Sequence, residues 1–334
     1  EAINKILCVK PRGIGDIILS TIVLENLKAA FPYSEIHYLT EDFAKRAVEN
    51  NPFVSKILTF NKKDFVLSII RKVRKEKYNL VLDFWSNPKT AQVTFFSGAK
   101  YRVGFEKRGR KYAYNFIGKN GTMGEHASED NLVLLKAIDI SIISKRIIYQ
   151  TTPEEKQFAE KVFSGINIHN EKLIIGIIPS GGWESKRCDP VKWIEIGNEI
   201  QKKYKVQFII LWGPGDEKDA QTISNGLKPT SITGPESSFG ELSELIEKCD
   251  LIIANDSGPM HVSAALGKPT LGIFGPTDPS AHRPYSEKSS YVIHSKLHCI
   301  KCTKLVCPYN HECMIELPIE KVLIEIEKLM KFVK

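Results

Sequence analysis

Three stretches of this sequence combine residue types that can do chemistry at a ligand. The first is Pro11-Arg12-Gly13-Ile14-Gly15-Asp16. Its two glycines let the backbone turn tightly and approach a ligand closely. A carboxylate at the start of the following helix is favoured in its ionised form by the helix dipole and by nearby N–H groups, so Asp16 is suited to accept a proton from a hydroxyl. The plainer alternative is an ordinary helix cap. The second stretch is Pro179-Ser180-Gly181-Gly182, followed by Lys186 and Arg187. Small residues ahead of two cations can hold a diphosphate through backbone donors and charge, although a solvated basic turn explains the pattern equally well. The third is Asn255-Asp256-Ser257-Gly258-Pro259-Met260-His261. Here Asp256 or Ser257 is expected to cap a short helix opened by Pro259 and closed near Gly267. Its free N–H groups suit phosphate oxygens, with His261 one turn in as a ligand contact or a packing residue.

Two further turns belong with these. Gly275-Pro276-Thr277-Asp278-Pro279 is placed to line the same crevice, and Gly213-Pro214-Gly215-Asp216-Glu217 offers a carboxylate for ribose hydroxyls. No two aspartates are separated by a single residue, so the acidic pair with which many sugar transferases hold a divalent metal is missing. Charge on a departing diphosphate then falls to Lys186 and the helix N-terminus at 257–260. Four of the seven cysteines, Cys299, Cys302, Cys307 and Cys313, cluster ahead of the final helix and away from these loops. Four thiols at that spacing make a candidate structural zinc or iron site, the alternative being a reduced cluster that only packs. Catalysis itself is expected to need no cofactor.

The elements that carry these loops follow from apolar patterning. Strand-length runs alternate with helical stretches, the signature of α/β architecture with parallel sheets. Strands are expected near 5–10, 35–39, 56–60, 79–83 and 101–105, with helices over 16–31 and 64–76. The pattern restarts at Leu173–Ile178, a continuous apolar run of the kind buried on both faces of a parallel sheet. A helix capped by Asp189 and opened by Pro190 follows, then strands at 206–211, 251–255 and 270–274, and a last amphipathic helix over 318–332. The polar stretch 150–155 reads as a linker. Two Rossmann-like domains facing each other across a cleft, residues 1–152 and 153–334, account for this arrangement. Ligands in such sheets bind at the carboxyl ends of the strands, where the candidate loops fall.

These loops, in this order, resemble glycosyltransferase family 9, the bacterial heptosyltransferases of lipopolysaccharide core assembly. The matching stretches are 6–32, 177–189, 212–217 and above all 251–279, LIIANDSGPMHVSAALGKPTLGIFGPTDP. The resemblance implies a GT-B fold, an inverting metal-independent mechanism, ADP-heptose as donor and the lipopolysaccharide inner core as acceptor. It makes Asp16 the catalytic base, and Ser180 and Lys186 donor phosphate contacts. Glu217 becomes the ribose contact, with Asp216 beside it as the alternative match. Asp256, Ser257, Gly258 and His261 become the donor loop. The cysteine cluster is similar to that of the heptosyltransferase III branch. One departure is Cys188-Asp189-Pro190, which stands where the family often has Trp-Pro.

Composition bounds these readings. The 334 residues carry a net charge of +8, with 42% hydrophobic and 26% charged residues, a globular rather than disordered composition. No run approaches the roughly 18 apolar residues of a membrane span, and nothing near residue 1 reads as a secretory signal, so a cytoplasmic location is expected, with peripheral contact at the inner membrane face. The basic run from Arg102 to Lys119, with Arg102, Arg108 and Arg110, would suit the phosphates of an anionic core acceptor. Other readings are a transferase of the same family using another nucleotide sugar or acceptor, and a sugar-nucleotide epimerase on the same fold. A nucleic-acid-binding protein built on the basic surface and a zinc module would leave the loop 256–261 without a purpose, so no nucleic-acid partner is expected.

Overall fold

The computed structural model describes residues 2–119, 126–166 and 172–333. The chain divides into two compact units, Glu1–Gln150 and Thr151–Lys334. In the first unit the elements are β1 Lys5–Val9, α1 Ile14–Ser20, α2 Leu24–Ala30, β2 Glu35–Glu41, β3 Lys56–Phe60, α3 Val66–Glu76, β4 Leu80–Asp83, α4 Pro88–Phe95, β5 Tyr101–Phe105, β6 Phe116–Gly118 and α5 Ala127–Lys136. The second unit contains α6 Pro153–Gly165, β7 Leu173–Ile178, α7 Pro190–Lys203, β8 Val206–Ile210, α8 Glu217–Gly226, β9 Ser231–Thr233, α9 Phe239–Glu247, β10 Leu251–Asn255 and α10 Gly258–Ala265. It ends with β11 Thr270–Phe274, α11 Pro279–His282, β12 Ser289–Ile293, α12 Glu312–Ile315 and α13 Ile319–Met330.

Each unit is built on one six-stranded sheet, ordered β3-β2-β1-β4-β5-β6 in the first and β12-β11-β10-β7-β8-β9 in the second. Every pairing in both is parallel. Counted within its own unit, the second sheet has the same order as the first, the Rossmann order 3-2-1-4-5-6. The two Rossmann-like units of the GT-B expectation are therefore present. In each, the order reverses between the first and fourth strands, β1 beside β4 and β7 beside β10, where a crevice opens at the carboxyl ends.

The central strands are buried because their sequences are apolar on both faces. Ile6, Leu7, Cys8 and Val9 are inaccessible, as are Ile252, Ile253 and Ala254. The helix expected over 16–31 is interrupted: α1 and α2 are separated by a 3-10 turn at Thr21–Val23. Ser20 and Thr21 donate their hydroxyls back to the carbonyls of Ile17 and Ile18, both at 2.7 Å, an alternative to the regular helical ladder. The polar stretch expected as a linker contains the division between units and then opens α6. There Thr152 and Glu155 form a reciprocal capping box around Pro153, so its polarity is partly a helix-start signal. The last helix buries Val322, Ile326 and Leu329 against the second core.

One close approach bears on the site described next. A Cβ added to Gly104 on β5 would sit within 2.6 Å of Tyr114 Cδ1, and Tyr114 is the residue whose hydroxyl donates to Asp83 at 2.7 Å. Gly104→Ala should therefore cost about 1–3 kcal/mol, the range for overpacking a filled core, in denaturant unfolding. A variant as stable as the parent would show that the ring can move aside.

Candidate active site

In the second unit, the loops after β7, β10 and β11 converge on Asp256. Its carboxylate is 4% exposed. It forms an ion pair with Lys186 Nζ at 2.7 Å and accepts the hydroxyl of Thr277 at 2.6 Å. Burial alone would raise this carboxyl, but Lys186, His261 and Thr277 outweigh burial and hold it below its usual range. Lys186 also lies over the Trp183 ring, 4.3 Å from its centroid. Of the two caps expected for α10, Ser257 does stand at the N-cap, but no side chain makes a capping bond there. Asp256 turns to Lys186 instead, and the Ser257 hydroxyl is buried with no hydrogen-bond partner among the described residues. Pro259 stands in the first turn and Gly267, at φ +74, follows the helix, both as expected. The uncapped N-terminus of α10, the Ser257 hydroxyl and the ammonium of Lys186 thus supply anion-binding groups in one place.

Neighbouring loops are tied into the same place. Asn255, fully buried at the end of β10, donates to Pro179 O at 2.6 Å across the switch point. Ser180 Oγ accepts from Gly213 N at 3.3 Å, joining the loops after β7 and β8. Arg187 binds Asp216 at 2.5 Å and Gly181 O at 3.1 Å, so Asp216 is buried and already paired. That separates the two adjacent acids. Glu217, in the first turn of α8, is exposed and accepts only a surface bond from Gln221 at 3.0 Å, which leaves it the carboxylate able to reach a ligand.

In the first unit, Asp16 lies in the first turn of α1, with Gly13 at the N-cap at φ +80. It is thus inside the helix rather than its cap. Its carboxylate folds back over Gly13 so closely that a Cβ there would overlap Oδ2. The loop is pinned from outside by Arg12, which makes two bonds to Glu41 at 3.0 and 2.9 Å. Beneath it, at the switch point, Lys10 is 9% exposed, donates to Phe84 O at 3.2 Å and stands 5.0 Å from the centre of the Trp85 ring. Burial lowers the Lys10 pKa, while Asp16, Asp83 and Asp130 favour its charged form. Asp83 is fully buried and accepts from Trp85 N, Ser86 N and Tyr114 Oη; burial nonetheless raises it. Of the three arginines expected to meet an acceptor, Arg102 spends its guanidinium on the carbonyls of Ala99 and Ala113, at 2.8 and 3.0 Å. Arg108 is exposed and Arg110 half-buried.

The cysteine segment is not remote from the loops around Asp256, although its position ahead of the last helix suggests that it is. Lys301 N donates to Gly275 O at 3.1 Å and Thr303 N to Pro276 O at 2.7 Å, while Lys301 Nζ pairs with Asp278 at 2.9 Å. On the other side Ser185 donates to Leu305 O and Lys304 O, at 3.2 and 2.5 Å, and His311 Nε2 lies 2.8 Å from Ser185 O. The segment thus straps the loop holding Thr277 to the loop holding Lys186. Cys313 is pushed up to about 12, first by burial and then by Cys307, Cys299 and Cys302 nearby. Still, among the described residues no group of three or more His, Cys, Asp or Glu side chains is gathered closely enough to hold a metal ion.

Residues 66–312 match the family model described as Glycosyltransferase family 9 (heptosyltransferase). The chain is similar to lipooligosaccharide heptosyltransferase 2 of Campylobacter jejuni, 27% identical and covering 98% of each chain. Among solved structures it resembles a glycosyl transferase family 9 protein from Veillonella parvula, with a TM-score of 0.84, 21% identity and coverage of 99% of this chain and 98% of that one. It also resembles E. coli ADP-heptose lps heptosyltransferase II, with a TM-score of 0.77, 20% identity and 98% of each chain covered.

Lys186→Ala would leave Asp256 buried without its cation. Breaking a buried pair in this way costs about 3–5 kcal/mol, whereas removing both partners costs much less. The single variant should therefore unfold at lower denaturant than Lys186→Ala/Asp256→Ala, while nucleotide binding by calorimetry fails in both. Equal stability of the two would show that the pair is not what holds the loops.

Proposed function

The chain belongs to glycosyltransferase family 9 and is a sugar transferase; from this we propose that it moves heptose from ADP-heptose to the lipopolysaccharide core. The observation that carries the reading is the anion site at the start of α10, built on the loop whose sequence is the most specific part of the family resemblance. The E. coli structure similar to this chain is that of an ADP-heptose-dependent enzyme, which supports the donor.

In this reading the C-terminal unit holds the donor. Lys186, Ser180, Ser257, Gly258 and the free N–H groups of α10 take the diphosphate, His261 lines the same turn, and Glu217 takes the ribose. The N-terminal unit provides the base. Asp16 accepts the proton of an acceptor hydroxyl as its oxygen bonds to the anomeric carbon, and the bond from that carbon to the diphosphate breaks with its electron pair leaving on ADP. Attack from the face opposite ADP inverts the anomeric centre. The leaving charge meets a fixed ammonium and helix N–H groups, which need no reorganisation as it develops. Arg108 and Arg110 are proposed to meet acceptor phosphates. No described helix is long and apolar enough to cross a membrane. With a lipid-borne acceptor, the enzyme is proposed to work from the cytoplasm at the inner membrane face. The four-cysteine segment is proposed as a structural element, with no catalytic step assigned to it.

Asp16→Asn should lower turnover by about a hundredfold or more, the scale of a lost general base, with ADP affinity unchanged. Gly13→Ala, which keeps the carboxylate but displaces it, should lose turnover as well. Near-parental turnover of Asp16→Asn at saturating acceptor would remove it from the chemistry. Transfer should also survive EDTA, because Lys186 and α10 supply the charge for which other transferases use an acidic pair and a metal. Activity lost to the chelator in still-folded protein, and restored by magnesium or manganese, would overturn this.

A further inference from the structure

The loop Asn61–Phe65 leads from β3 into α3. Because the sheet is wholly parallel, this loop lies on the carboxyl edge, the edge that also carries Gly13–Asp16. Two strand spacings separate β3 from β1, about 10 Å. On this edge Phe65 is 85% exposed and Leu67 63% exposed. A single exposed apolar side chain is ordinary, and two alone would point nowhere. Their surroundings decide the matter. Lys62 and Lys63 are exposed just ahead of them, and Arg71 and Lys75 continue the stripe of Leu67 along the exposed face of α3 at successive four-residue steps. Residues 62–77 hold seven lysines and arginines against Asp64 and Glu76. Both acids are engaged, Asp64 with Asn61 N at 3.0 Å and Glu76 with Lys56 at 2.6 Å. The loop is also held in place, since Lys62 O accepts from Lys89 Nζ at 3.1 Å.

An apolar tip ringed by positive charge with no ion-pair partner among the described residues is complementary to an anionic bilayer, with aromatic and aliphatic side chains entering the headgroup boundary and lysines meeting lipid phosphates. The same charge opposes stacking against a second copy of this chain. We infer that Lys62, Lys63, Phe65 and Leu67, continued by Arg71 and Lys75, form a docking surface for an anionic membrane, on the sheet edge that carries Asp16. This rests on the reading of the acceptor as lipid-borne: docking by this edge brings the base toward the surface from which such an acceptor projects, and restricts the search to two dimensions.

The full chain should co-sediment with vesicles of phosphatidylcholine mixed with phosphatidylglycerol, weakly with phosphatidylcholine alone, and less as salt rises. Lys62→Glu/Lys63→Glu and Phe65→Ser/Leu67→Ser should each reduce anionic-vesicle binding by roughly tenfold or more, each cation near the surface counting about fivefold. Turnover on delipidated, soluble core oligosaccharide should not change in either variant. Absence of binding to anionic vesicles, equal binding to neutral ones, or parental binding by both variants would overturn the surface. So would parental protein that self-associates by sedimentation velocity and loses that association in Phe65→Ser/Leu67→Ser. Vesicle binding that behaves as expected in a protein unable to use any heptose donor would support the surface while defeating the proposed activity.

Discussion

A carboxylate as buried as Asp256 is tolerated only because a cation and a hydroxyl reach it, and that constraint organises the second unit. Lys186 comes from the loop after β7, Asp256 from the end of β10 and Thr277 from the loop after β11. Separating them would strand a charge out of water at a cost of several kcal/mol. The three loops are therefore locked in one arrangement before any ligand arrives. The N-terminus of α10 carries no side-chain cap at that point: Asp256 is engaged by Lys186 and Thr277, and Ser257, at the N-cap, makes no capping bond. A preset arrangement of this kind spares binding energy that would otherwise go into ordering loops.

The first unit solves the same topological problem with opposite polarity. Both sheets reverse at the junction of their first and fourth strands, and both junctions are bridged by a buried polar side chain. In the second unit Asn255 reaches Pro179 O; in the first, Lys10 reaches Phe84 O. The consequences differ because the bridging groups do. A neutral amide leaves the charge of the second crevice to Lys186 and the helix end, whereas Lys10 sets a cation among Asp16, Asp83 and Asp130. One crevice thus gathers positive groups, and the other sets a buried ammonium close to three acids.

Much of this was readable in the residues, for a physical reason in each case. Leu173–Ile178 is a continuous apolar run and Leu251–Asn255 and Thr270–Phe274 are apolar but for one terminal residue, and the structure makes each a strand over the same residues. Asp189 and Pro190 carry a helix-start signal, and Asp189 does accept from Val191 N. Elements set by tertiary context were not readable. The three-residue edge strands Phe116–Gly118 and Ser231–Thr233 are too short to show a period, and Ser289–Ile293 opens on polar residues. Local side-chain bonding by Ser20 and Thr21 split a helix that hydrophobic spacing alone draws as continuous. In the site, residue type marks Asp16, Lys186 and Asp256, but not that the last two pair with each other. Lys10 and Thr277 matter through neighbours distant in sequence, Phe84 and Asp256, and Asp216 and Glu217 become distinguishable once Arg187 is seen to take the first.

The strap formed by residues 301–311 gives the chain an unevenly distributed thiol chemistry. Cys8, Cys188 and Cys249 are buried, and burial raises their thiols far beyond the range in which a thiolate forms. Cys299, Cys302 and Cys307 are only partly buried, and they flank backbone that is bonded to Gly275, Pro276 and Ser185. Alkylating reagents are thus directed by accessibility, without any engineering, to the segment joining the loops that hold Lys186 and Thr277. A fluorophore or spin label attached there would report on the spacing of those loops, so this protein already carries the attachment points from which occupancy of the crevice at Asp256 can be followed by spectroscopy.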